Sequence, residues 1–202
     1  MRQTIISPCK QYRYVLWRCW DEKLPTLNFV MQNPSTADVS QDDATIRRCL
    51  GFAKDNKFGS IRVLNVFAYR ATYEQALYKA PDPVGPSTES YLYRQARYPE
   101  IVVLAWGNPL ARLEQHYNRV LEIFAGKTLY CLGTTKSGNP KHPLYLPRAT
   151  RIVEFSPVTA PGVAVEPRSL PPEPLVGDFD LIDYNLRTEA ILARCRKPKP
   201  LS

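Results

Sequence analysis

Residues 27–59, LNFVMQNPSTADVSQDDATIRRCLGFAKDNKFG, decide the fold class. They open on a short apolar run halted at Pro34, and such a run bounded by turn residues fits a strand buried on both faces. Ile46, Cys49, Leu50 and Ala53 then recur at helical spacing, and Gly59 is placed to stop the helix. Strand, loop and helix in that order form the repeating unit of an α/β domain.

Working outward, YRYVLWRCW (12–20) alternates aromatic or aliphatic positions with basic ones, as a half-exposed strand does, and is expected to open the sheet. IRVLNVF (61–67), IVVLAW (101–106) and TLYCLG (128–133) supply further strands. Between them, YEQALYKA (73–80), YLYRQARY (91–98) and residues 109–125 carry helical patterns. The alternation predicts a three-layer α/β/α fold around a short, mainly parallel central sheet of about four strands. Residues 1–147 form the expected domain. Residues 148–202 form an extension, dense in proline through PGVAVEPRSLPPEP (161–174) and resuming as a terminal helix with a basic end over 178–200. No internal repeat is present in the sequence.

A chain of 202 residues suits one domain, and 44% hydrophobic with 23% charged residues is enough to bury a core. Lys and Arg number 27 against 19 Asp and Glu, a formal charge of +8 that favours a polyanionic partner, DNA first. No apolar run approaches the ~18 residues that span a bilayer, so no membrane partner is expected. The opening MRQTIISPCKQYRY lacks a signal-peptide pattern, which places the chain in the cytoplasm, as a monomer. Five scattered cysteines without a C-x-x-C pair read as reduced thiols. With His116 and His142 the only histidines, neither a metal centre nor a cofactor is expected.

In open α/β sheets, ligands gather outside the carboxyl ends of the strands. Four such places are polar: residues 32–38, 64–67, 105–108 and 141–145. They would combine the carboxamides of Asn33 and Asn65, the imidazole of His142, the carboxylates of Asp38, Asp42 and Asp43, and aromatic walls.

The succession of an Asn-Pro loop, the strand phrase IRVLNVFAYRA, VVLAWGNPLA ending in Trp-Gly, and a late His-Pro loop resembles the uracil-DNA glycosylase superfamily in order and spacing. More closely, NPSTAD with GTTKSGNPKHPLYLP resembles an uncharacterised bacterial and phage branch. The resemblance covers residues 25–147. It assigns Asn33 to the motif that positions the attacking water. An amide is no strong base, so the match implies either water positioning by Asn33 or a carboxylate from Asp38, Asp42 or Asp43. By the same resemblance Asn65 reads the base edge and His142 stabilises charge on the departing base. Gln32 is a further candidate for base binding, and Tyr69, two residues beyond the strand, is a candidate to stack on a base. Leu144 and Tyr145 would wedge the duplex, with Lys141 and Arg148 on phosphates. Leu144 stands where that family has Ser, which argues for a modified base rather than plain uracil, in repair or in defence against phage with modified DNA.

Structural roles suit the same residues. Asn33 to Asp38 would also make a turn that caps the next helix, and Asp38, Asp42 and Asp43 favour helix initiation. Asn65 would equally satisfy a buried backbone group, Trp106 would pack in the core, and His116 would sit solvated on a helix. Two further functions compete with a metal-independent DNA glycosylase. One is a non-catalytic reader of an extruded base; the other is a base-modifying transferase, for which no cosubstrate motif is present.

Overall fold

Six consecutive buried residues, Thr26–Met31, make the central strand β3. Its side chains alternate with period two between the sheet's faces. Leu27, Phe29 and Met31 enter one core with Ile46, Cys49 and Phe52, and Val30 enters a second with Leu92, Tyr117 and Val120. The computed structural model describes residues 1–157 apart from 36, 38, 39 and 99. The expected terminal helix, the proline-rich stretch and the basic end lie outside the described residues.

Around β3 stand β1 (Arg2–Ile6), β2 (Arg13–Cys19), β4 (Ser60–Asn65), β5 (Ile101–Leu104), β6 (Leu129–Cys131) and β7 (Val153–Glu154). The sheet order is β1-β2-β4-β3-β5-β6-β7. Helix α1 (Ala44–Asp55) covers one face. Helices α2 (Glu74–Lys79), α3 (Thr88–Ala96) and α4 (Glu114–Ile123) contribute to the core on the other, and Pro143–Tyr145 forms a 3-10 turn.

This architecture corrects the expected three-layer α/β/α fold with a short, mainly parallel sheet. The sheet is seven-stranded and mixed. β4, β3, β5 and β6 run parallel, but β1 on β2, β2 on β4 and β7 on β6 are antiparallel. The physical reason is connection length. Only residues 7–12 join β1 to β2, too few for the crossover of a dozen or more residues that parallel pairing needs. β1, rather than residues 12–20, opens the sheet at one edge. At the other edge β7 carries the sheet past residue 147, with Ile152 and Phe155 buried beside it.

Helix α1 begins where Asp43 caps it, its carboxylate accepting from Ile46 N at 2.8 Å. It ends at Asn56, not at the expected Gly59: Asn56 N and Nδ2 both donate to Phe52 O. Gly59 serves a different purpose. A Cβ there would lie 1.9 Å from the Asp21 carbonyl oxygen, and Gly59 O accepts from Trp20 N and Asp21 N. Only glycine lets the two backbones meet this closely.

Beneath the parallel strands lies a buried polar knot. Glu100 accepts from Arg62 at 2.8 Å, Gln95 at 2.8 Å and Asn28 at 2.9 Å. Sharing one carboxylate among three donors satisfies charge and hydrogen bonding together, the condition for burying an ion pair without stranding it.

Candidate functional site

The carboxyl ends of β4, β3 and β5 open into a cleft of about 680 Å³. β3 delivers Gln32 and Asn33, β4 ends on Asn65, and β5 runs into Trp106, Gly107 and Asn108. The start of α1 adds Asp43, the start of α2 adds Thr72 and Glu74, and the 3-10 turn adds His142, Leu144 and Tyr145. Gly107, at φ 84, donates its N–H to Pro140 O at 2.9 Å, tying the end of β5 to the segment that carries His142.

Asn65 is 2% exposed, and neither its Oδ1 nor its Nδ2 has a hydrogen-bond partner. Trp106 Nε1 is likewise buried without one, while its ring packs edge-on against Tyr117. Two residues that border the cleft therefore carry two buried donor atoms and one buried acceptor without a partner in the protein. Buried polar groups are paired in the great majority of cases, so an unpaired carboxamide beside a cavity calls for an explanation.

Asn33 is held the other way round. Its Nδ2 donates to Ala71 O at 2.8 Å and to Pro34 O at 3.2 Å, which fixes the amide and leaves Oδ1 as the open acceptor. Gln32 is clamped at both ends: Oε1 accepts from the Tyr117 hydroxyl at 3.1 Å, and Nε2 donates to Glu74 at 3.4 Å. His142 Nδ1 accepts from Leu144 N at 3.3 Å, which assigns the ring proton to Nε2 in the neutral form. Burial pushes the His142 pKa below its ordinary value near 6.5, against a smaller upward pull from the negative charge of Asp43.

Of the residues singled out in the sequence, Gln32, Asn33, Asp43, Asn65, His142, Leu144 and Tyr145 all line this cleft. Tyr69 does not. It lies in an adjoining hollow, edge-on to Tyr12. Lys141 is exposed outside the cleft lining, its N–H donating to Gly133 O at 2.9 Å. Arg148 forms a two-pronged pair with Asp55, whose carboxyl it holds below the usual range. Asp42 is engaged by Arg2 and Arg18. Asp38 lies outside the described residues. His116 is half-buried rather than solvated, edge-on to Phe67, and burial lowers its pKa.

Sequence reasoning missed Arg13, Thr72 and Glu74. Glu74 carried a signal, an acidic residue in the first turn of a short helix. Arg13 carried none, because a buried arginine reads as one more basic position in an alternating strand. Among the described residues no group of three His, Cys, Asp or Glu is placed to hold a metal ion. No helix among them is long and apolar enough to cross a membrane.

The profile of a family described as "Protein of unknown function (DUF1643)" matches residues 13–144. The chain belongs to the DUF1643 family. No curated protein and no solved structure matches it. The DUF1643 match runs from the start of β2 into the 3-10 turn, and so takes in every cleft-lining residue except Tyr145. The strands outside it are β1 and β7, the two edges of the sheet.

Proposed function

We propose that the cleft is the active site of a DNA glycosylase that draws a modified base out of DNA and hydrolyses its N-glycosidic bond. The single observation that carries this reading is Asn65, a buried carboxamide bordering the cleft with neither polar atom partnered in the protein. A base edge presents adjacent donors and acceptors, and a flipped base must be read by a group able to match both. A volume of about 680 Å³ belongs to the range of pockets for drug-sized ligands, which favours a base carrying a substituent over a bare one.

The chemistry follows from charge. As the C1′–N bond lengthens, the electron pair moves to the base and the sugar becomes cationic. Neutral His142 offers its Nε2 hydrogen to the departing base. Asn33 Oδ1 accepts a hydrogen bond from a water whose oxygen bonds to C1′, and the water's proton leaves to solvent or to Asp43. Leu144 and the exposed Tyr145 stand at the rim, placed to fill the gap in the stack. The enzyme works without cofactor or metal, as a monomer, on DNA in the cytoplasm, in repair or in defence against phage with modified DNA. What supports the link to the uracil-DNA glycosylase superfamily is the order of the quoted motifs and their convergence on one cleft.

A second reading, a non-catalytic reader of an extruded base, is favoured by one observation: Asp43, the described cleft carboxylate nearest in role to a base, is engaged as the cap of α1. The two are separated by mass spectrometry of free base released from DNAs carrying normal, damaged and hypermodified bases. Release that vanishes in Asn65→Ala and His142→Ala establishes the glycosylase. Intact glycosidic bonds across the panel, with DNA binding retained, establish the reader.

A further inference from the structure

Beside the cleft, and sharing Ser35, Ala71 and Thr72 with it, lies a second hollow of about 330 Å³. Its character is different. Among the described residues the cleft is lined by Asp43 and Glu74 with the buried Arg13, whereas the hollow has Lys10, Gln11 and Arg70 and no carboxylate. Neither Lys10 nor Arg70 is in a salt bridge among the described residues. Other surface arginines are engaged: Arg119 with Glu89 and Glu122, and Arg148 with Asp55.

The hollow is also built firmly. Lys10 sits at the tip of the β1–β2 connection with φ 61, its N–H donating to Ser7 O at 2.9 Å. Arg70 N donates to Gln11 O at 2.9 Å, Arg70 Nη1 donates to Lys10 O at 3.3 Å, and Tyr12 bridges Tyr69 through the backbone. A left-handed backbone at a lysine costs free energy, and these bonds hold it there. The hairpin tip is thus bolted to the segment that follows β4, the strand that ends on Asn65.

We propose that Lys10 and Arg70 bind the phosphodiester backbone of the strand whose nucleotide enters the cleft. The inference rests on the reading of the cleft as a base-binding site. Two unpaired cations on a fixed platform, one shared wall away from the base pocket, match a backbone phosphate adjacent to an extruded nucleotide. Phosphate contacts of this kind set register and orientation and are indifferent to base identity. Asp43 and Glu74 outnumber the one buried cation of the cleft, Arg13, so phosphate is favoured on the basic side while the base enters.

The test is the salt dependence of binding to fluorescein-labelled DNA, single-stranded and duplex, for wild type, Lys10→Gln and the double variant Lys10→Gln/Arg70→Gln. Losing two phosphate contacts lowers the slope of log affinity against log salt by about 1.8 on duplex and about 1.4 on single strands. The single variant, at an exposed side chain, lowers it by about half as much without touching the fold. Affinity falls equally for normal and modified DNA, whereas Asn65→Ala leaves the salt slope unchanged. Slopes identical to wild type in both variants overturn the proposal, as does a wild-type protein with no measurable affinity for DNA at low salt. Failure of the glycosylase reading has a separate signature, the absence of released base.

Discussion

Asn33 Nδ2 donates to the carbonyl oxygen of Ala71 across 2.8 Å, binding the loop after β3 to the segment after β4. Asn33→Asp replaces that donor with an oxygen facing an oxygen. The expected cost is about 1–3 kcal/mol of stability, seen as a lower urea midpoint at pH 7 with an unchanged slope. Asn33→Ala also loses the oxygen proposed to orient the attacking water, and base release is expected to fall on the order of 10²-fold.

Asn65 predicts a trade between folding and function. Its unpaired carboxamide is desolvated with nothing in return from the protein. Asn65→Leu, similar in size and apolar, is expected to raise stability by about 1–3 kcal/mol while abolishing base recognition. Thermal melts beside a base-release assay check both halves, and a less stable variant contradicts the reading of Asn65 as an unused group.

The state of His142 sets the pH profile. Its folded pKa lies below the ordinary value near 6.5, so the unfolded chain takes up the proton first as pH falls. The stability that depends on a neutral ring is complete above that value and declines below it. Base release is therefore flat from pH 8 to 7, with its acid limb beginning below about 6.5. His142→Gln removes the limb along with most of the rate. His116 shifts in the same direction, so stability profiles are compared against His116→Gln as well.

Far from the cleft lining, Glu100 anchors Arg62, Gln95 and Asn28, with its side chain 3% exposed against 13% for Arg62. Glu100→Ala removes the carboxylate that balances a largely buried guanidinium, although Gln95 and Asn28 still accept from it, and is expected to cost about 3 kcal/mol. At a temperature where the variant is still folded, KM for the DNA substrate should match wild type.

Tyr145 is 91% exposed. Tyr145→Ser is expected to change stability by less than about 0.5 kcal/mol. If its ring fills the gap left by an extruded base, release from duplex falls while release from single strands is retained, because a single strand has no stack to hold open. Equal loss on both substrates would place Tyr145 in base contact instead.

The parts of the molecule that sequence made legible are those where burial writes a pattern. β3, β4 and β5 are largely buried on both faces and rich in aliphatic residues, and their carboxyl ends converge on one cleft. The mixed sheet was not legible, because its two edge strands carry no buried pattern and the alternation that marks β2 as a strand does not encode its direction. β1, with Arg2, Gln3 and Thr4, resembles a polar terminus, and β7 is two exposed residues inside a proline-bearing stretch. Tyr69 was misplaced for a related reason. A residue just past a strand end is free to turn either way, and a bridge to Tyr12 turns it toward the hairpin.

The cleft's floor and rim are made of different material. Asn65 and Trp106 are embedded in the core that stabilises the chain, whereas Leu144 and Tyr145 ride on a short turn packed against α1, where Arg48 donates to Leu146 O. A substitution at the exposed Tyr145 therefore alters the rim with little consequence for folding, while a change at the floor alters both at once.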